Sequence, residues 1–406
     1  MHRVSAVLFV ALAAAGALVA GLQRASSGAP DASALRAARS ASGFAEALHV
    51  ALGAENRNRF VSPFSAWTAL SMTHAGARGR TAAQMAAALR LQPPSPHAAA
   101  AALLRDLRAA GNAGGCTLRI ANGIWLQRGE RLQPAFVATV RDRYGAGLRE
   151  LDFARQTEAA RATINAWVSE RTEAKIRELL RRGDLDPSTA LVLTNAILFK
   201  GKWEKAFDPR RTVDAPFHLD DRRTVRAPMM RQTGRFACAR VGEVRAFELP
   251  YAGGRLSMVV LYPERPERLS EVERIVREKR LGEVLGRLAP REVPVGLPRF
   301  SVTSRVDLGR ALQTMGMTDA FRGGAADFSG INGRRDLSIA LVMHQARVDV
   351  DEAGTEAAAA TAVVMMKSAP IESYVADRPF LFLIRDRSTG AILFTGRVAN
   401  PLETEG

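Results

Sequence analysis

Six histidines (His2, His49, His74, His97, His218 and His344) and two cysteines (Cys116 and Cys238) are the residues best suited to chemistry here, and their spacing assembles no catalyst. There is no Gly-x-Ser-x-Gly elbow, His-Glu-x-x-His pair, phosphate-cradling glycine loop or Cys-x-x-Cys pair, so nucleophilic, metal, nucleotide and thiol-redox chemistry lack their usual residues. The expectation is a protein that is not an enzyme and needs no metal or cofactor. The cysteines read as structural thiols; one disulfide suits an oxidising compartment, but spacing does not bring the two side chains together. Reactivity of another kind lies in residues 351–370, DEAGTEAAAATAVVMMKSAP. Its alanines favour helix, and Thr355 is placed to cap a first turn. The run Thr361, Ala362, Val363, Val364 favours strand. A segment with two local preferences is a candidate for one that changes between them.

The elements that must position this segment are mixed. Helices are predicted early. Asp31 caps DASALRAARSASGFAEALHVAL, Ser62 precedes Pro63 in SPFSAWTALSMTHAGA, and Thr81 with Gln84 has the spacing of a capping box. TLRIANGIWLQ reads as strand and AARATINAWVSERTEAKIRELL returns to helical spacing. Later, ALVLTNAILFKGKW and RLSMVVLYP are apolar and β-rich, and PFLFLIRDRSTGAILFTGRV reads as a hairpin about a Ser-Thr-Gly turn. Helices early and strands late imply an α+β fold.

The 406 residues are 47% hydrophobic and 24% charged, enough for a large core, and no Pro- or Gly-rich linker divides them. Residues 1–25 combine a short basic start, an apolar run from Val4 to about Leu22 and small residues at Ala17, Gly21 and Ala25. That is the pattern of a secretory signal, with an uncleaved N-terminal anchor as the alternative because of the run's length. A secreted, periplasmic or extracellular protein is expected, folded over 31–406. The formal net charge of +16 attracts polyanions, and Arg105 with Arg108 is one candidate polyanion site, although Asp106 lies between them. No nucleic-acid motif accompanies the charge, so no specific nucleic-acid partner is expected.

Six stretches point to one family: NRFVSPFSAWTALSMTHAGARGRT, TNAILFKGKWEKAFDP, APMM at 227–230, LPRFSV at 297–302, VDVDEAGTEAAAATAV and RPFLFLIRDRSTGAILFTGRVANP. In this order they resemble the serpin family of serine protease inhibitors, from about residue 40 to Pro401. The resemblance implies one domain of three β-sheets and about nine helices, acting as a monomer, with an exposed reactive-centre loop over 351–378. It also implies the mechanism of which serpins are the type example. A protease cuts the loop, and the loop inserts into the largest sheet in a conformational change that releases stored strain.

The same resemblance assigns residues. Glu352, Gly354, Thr355, Glu356, Ala357, Ala358, Ala359, Ala360 and Thr361 match the hinge of inhibitory members. Along a strand, Thr355, Ala357, Ala359, Thr361, Val363 and Met365 share one face, small at first and then apolar, as insertion into a packed sheet requires. The family's usual register from Glu352 places the reactive bond at Ser368–Ala369, suiting an elastase- or subtilisin-like protease. A shorter register places it at Lys367–Ser368, suiting a trypsin-like one. Ser62, Ser65, Asn195 and His344 match a polar cluster beneath the large sheet, and Trp203 an aromatic residue where the loop enters. Departures occur at Gln345, where lysine is common, and at Ala353, commonly charged. The competing function is a non-inhibitory binding or carrier protein on the same fold, for which polyanions are candidate ligands.

Overall fold

The computed structural model of the protein describes residues 30–53, 55–111, 116–355 and 372–404. Among them are ten α-helices, several of only one or two turns: α1 (Ala32–Ala51), α2 (Pro63–His74), α3 (Gly79–Ala88), α4 (Pro96–Gly111), α5 (Pro134–Thr139), α6 (Phe153–Arg171), α7 (Leu269–Arg277), α8 (Leu281–Gly286), α9 (Gly309–Thr314) and α10 (Ser329–Asn332). Asp31 caps α1 by accepting from Ser33 N at 3.1 Å. Ser62 caps α2 by accepting from Ser65 N at 3.2 Å, with Pro63 in the first turn.

The first sheet contains β2 (Cys116–Gln127), β3 (Gly147–Leu151), β4 (Leu191–Lys202), β10 (Phe300–Asp307), β11 (Ile339–Val350) and the short β12 (Gly354–Thr355). Its order is β10-β11-β4-β2-β3, with β12 also on β4. The central pair β11 and β4 is parallel, in one register from Leu341/Val192 to Ala346/Ile197 after a shift at Ile339–Leu341, whereas β2 and β12 lie antiparallel to β4. The second ladder contains β1 (Arg59–Val61), β5 (Val213–His218), β6 (Thr224–Val241), β7 (Val244–Pro250), β8 (Leu256–Pro263), β9 (Ala289–Pro298), β13 (Tyr374–Val375), β14 (Phe380–Asp386) and β15 (Ile392–Val398). It runs β1-β15-β14-β8-β7-β6-β9-β13, with β5 on β6. The 18-residue β6 joins β5 at one end and β7 at the other. The second and third sheets are therefore continuous through one long strand.

The main core joins α1, α2 and α4 to the inner faces of the sheets, with Phe44, Phe60, Phe64, Trp67, Phe199 and Phe394 among its buried residues. A separate cluster lies under α6, where Ile164, Trp167 and Val168 pack on Ala121, Trp125, Val192, Ala196 and Met343. Both faces of the central strands are thus covered, and β4 is buried without a break from Leu191 to Phe199.

Two local readings are corrected. The helix predicted beyond residue 171 stops at Arg171, because Glu173 and Ala174 take positive φ and Thr172 Oγ1 binds Val168 O and Ile176 N. The Thr81/Gln84 capping box does not form. Thr81 Oγ1 accepts from Asp327 N, and Gln84 Oε1 accepts from Thr318 N and Asp319 N. Both side chains hold the 318–327 loop instead, and α3 begins earlier, at Gly79.

Candidate functional site: the central seam and the loop hinge

The seam is the parallel β4–β11 pair. Asn122 on β2, Asn195 on β4 and His344 on β11 stand directly across from one another in the sheet. Period-2 alternation sends all three to the face beneath which α2 begins. Ser62 N donates to His344 Nε2 at 3.0 Å. A backbone N–H can only donate, so Nε2 accepts and Nδ1 carries the proton, which it donates to Asn195 Oδ1. Asn195 Nδ2 donates to Ser65 Oγ at 2.7 Å and Asn122 Oδ1 at 2.5 Å, and Ser65 Oγ donates to Asn122 Oδ1 at 2.9 Å. Ser62 Oγ donates to Leu393 O on β15 at 2.8 Å, linking the network to the second ladder.

His344 is fully buried. Burial pushes its pKa down to about 3, so the ring is neutral and the bond across the seam is between uncharged partners. A neutral hydrogen bond in low dielectric orders the strands, yet breaking it exposes no ion.

At the end of the seam the chain leaving β11 turns back. Asp351 Oδ1 accepts from Ala353 N at 2.9 Å and Gly354 N at 3.2 Å. Trp203 grips the same turn, with Nε1 donating to Asp351 O and its backbone N to Ala353 O, each at 2.9 Å. Its ring stacks on Tyr251 at 4.7 Å between centroids. Glu352 is held by Arg299, whose Nε lies 2.7 and 2.8 Å from the two carboxylate oxygens, and by Thr212 Oγ1. Burial pushes the Glu352 carboxyl up, but these bonds outweigh it and hold the group below the usual glutamate range.

Gly354 and Thr355 then pair with Lys202 and Gly201 of β4. Gly354 has φ of +150°, and a Cβ there would strike the Gly201 carbonyl and the Lys202 backbone. Only glycine permits this approach. Thr355 is 1% exposed, and its hydroxyl lies 2.9 Å from Tyr251 Oη. The first inward residue of the hinge is therefore seated in the core beside the seam.

The expected seam residues Ser62, Ser65, Asn195 and His344 thus form one network, and Trp203, Glu352, Gly354 and Thr355 come together at the turn that follows β11. Glu356, Ala357, Ala358, Ala359, Ala360 and Thr361, together with Lys367, Ser368 and Ala369, lie outside the described residues. Sequence reasoning missed Asn122, Thr212, Tyr251, Arg299 and Asp351. Asn122 had a signal, being an asparagine inside the otherwise apolar run from Ile120 to Leu126. Arg299 and Thr212 had none, since only the fold brings them to Glu352. Cys116 and Cys238 are both free and buried. Among the described residues no group of three or more His, Cys, Asp or Glu is arranged to hold a metal, and no helix is long and apolar enough to cross a membrane.

A family profile described as "Serpin (serine protease inhibitor)" matches residues 39–401. The chain belongs to the serpin family. It is 41% identical to the leukocyte elastase inhibitor of Bos taurus over 85% of this chain and 93% of that one. It is also 41% identical to Serpin B8 of Bos taurus, over 88% and 97%, and 40% identical to Serpin B9 of Homo sapiens, over 85% and 94%. Among solved structures, uncleaved ovalbumin superposes with a TM-score of 0.78 at 30% identity, covering 89% of this serpin and 99% of that chain. Serpin48 of the insect Tenebrio molitor, described as highly specific, superposes with a TM-score of 0.80 at 29% identity, covering 90% and 98%. The α+β fold with its three sheets is therefore that of the family.

Proposed function

We propose that this serpin is a secreted, monomeric suicide-substrate inhibitor of serine proteases. The serine of the target attacks the carbonyl of the reactive residue, an ester forms, and the peptide bond breaks to leave a new N-terminus at Ser368 or Ala369. The freed hinge then inserts between β4 and β11 before water hydrolyses the ester, and it carries the protease with it.

The observation that carries this reading is the seating of Gly354 and Thr355 on β4 beside the seam. Continuing that antiparallel register sets Ala357 against Phe199, Ala359 against Ile197 and Thr361 against Asn195. Small side chains then enter the core face first. The Thr361 hydroxyl arrives at the level of the His344–Asn195 bond, which the new strand must break, and offers a replacement partner. The relatives named leukocyte elastase inhibitor support a protease as the partner. A small-pocket protease of that kind suits Ser368–Ala369, and a trypsin-like one suits Lys367–Ser368.

The test is intact mass spectrometry after mixing the protein with trypsin, elastase or subtilisin. The expected product is a denaturation-resistant covalent adduct with release of a C-terminal peptide beginning at Ser368 or Ala369, and that residue identifies the bond. Clean cleavage without adduct across the panel would favour the carrier reading.

A further inference from the structure

A cavity of about 80 Å³ lies where α2, α4, β2, the turn Tyr144–Ala146 and α6 meet. Its apolar wall is Met72, Leu104 and Ile120, and its polar lining includes Asn122, Arg108, Arg171 and Trp167, with no acidic residue. Trp167 is 5% exposed, and its indole N–H has no hydrogen-bond acceptor. The Arg171 guanidinium lies over the Trp167 ring, 4.4 Å from its centroid. On the opposite side Arg108 donates one N–H to Tyr144 O at 2.9 Å.

The unmet capacity is that of donors. The indole N–H and the remaining guanidinium N–H groups can only donate. Asn122 is already engaged through both side-chain atoms, with Ser65 and Asn195. Thr68, also in the lining, spends its hydroxyl proton on Phe64 O at 2.8 Å. Among the described residues the one acid paired with Arg171 is Glu170, at 3.3 Å on the solvent side, where its side chain is 76% exposed. An occupant must therefore bring acceptors. Among the described residues Arg108 has no acid partner and Arg171 pairs only with the exposed Glu170, so an anion is the best occupant, and the apolar wall accommodates a short hydrocarbon stem.

We propose that this cavity binds a small carboxylate, its oxygens taken by Trp167 Nε1, Arg108 and Arg171 and its stem against Met72, Leu104 and Ile120. Binding here is independent of whether the protein inhibits a protease.

The test is titration of the full-length protein with sodium propionate against sodium chloride at equal ionic strength, followed by tryptophan fluorescence and calorimetry. Saturable binding is expected, with a Kd on the order of 1 mM for so small a ligand. Trp167→Phe keeps the ring and removes only the donor, and it should weaken binding about tenfold; Arg108→Gln and Arg171→Gln should do likewise. Melting temperatures of the three variants verify folding. The proposal is overturned by the absence of any saturable response up to about 50 mM. It is equally overturned by unchanged affinity in all three folded variants, or by binding of inorganic phosphate where propionate fails.

Discussion

Replacing Thr355 by arginine tests the insertion register most sharply. The Thr355 side chain is 1% exposed, its hydroxyl lies 2.9 Å from Tyr251 Oη, and Tyr251 packs edge-on against Phe199 at 5.0 Å. A guanidinium forced into this apolar, aromatic surrounding without a counter-ion costs several kcal/mol. In the uncut protein the arginine can leave this site together with β12, whereas insertion must bury it again; if about 4 kcal/mol of that cost appears in the barrier, the inserting step slows roughly a thousandfold. Hydrolysis of the acyl-enzyme depends on the protease and does not slow, so Thr355→Arg is expected to be cut as a substrate. Glu356→Arg is the control, because alternation along a strand sends residue 356 to the opposite face, and trapping should survive. The assay is the number of inhibitor molecules consumed per protease inactivated, with the covalent adduct followed on denaturing gels. Trapping by Thr355→Arg at the wild-type ratio, or equal damage from both substitutions, would refute the register drawn from Gly354/Lys202 and Thr355/Gly201.

Cutting the loop without a trapped protease should raise the melting temperature, since an inserted strand adds backbone hydrogen bonds and burial; calorimetry that finds equal melting for cut and intact protein would contradict insertion. Asn195→Ala removes the acceptor of His344 and the donor to Ser65 and Asn122 together, leaving buried groups unpaired. A loss on the order of 3 kcal/mol should be seen by chemical denaturation. Burial lowers His344 to about 3, and burial together with His74 and Arg143 lowers His97 to about 4. Both rings are neutral when folded and titrate near 6.5 when unfolded, so this stability is present above about pH 6.5 and is lost as pH falls toward the folded values. Each ring should cost about 2 kcal/mol between pH 7.5 and 5, and His344→Gln should remove its share of that pH dependence.

Much of the fold was legible because its signals are local. Asp31 and Ser62 cap the helices they precede, and the terminal hairpin forms as β14 and β15 around Gly390. Where reading failed, a tertiary partner outbid a local one. Thr81 and Gln84 have capping-box spacing, but a loop more than 200 residues later takes their hydrogen bonds. The seam followed the same division. Asn195 and His344 were found through their surrounding motifs, while Tyr251 and Arg299 act on the hinge only through chain crossings that no window of sequence contains. Asp106, which weakened the Arg105/Arg108 reading, is drawn off by Arg255 in the turn before β8, and Arg108 turns to Tyr144.

The two ends of the loop are pinned in different sheets: Thr355 on β4 of the first, and Tyr374 beside Val295 of β9 in the second ladder. The intervening segment 356–373 spans on the order of 60 Å when fully extended. Following β4 from Gly201 to Leu191 takes ten residues, about 33 Å, so an intact loop that reached that end would keep only about half of its length for the return to β13. Cutting one peptide bond within the segment removes that leash. On the proposed function the molecule would act as a length-limited latch, in which the protease supplies slack rather than energy and the end that stays attached fixes the direction of travel.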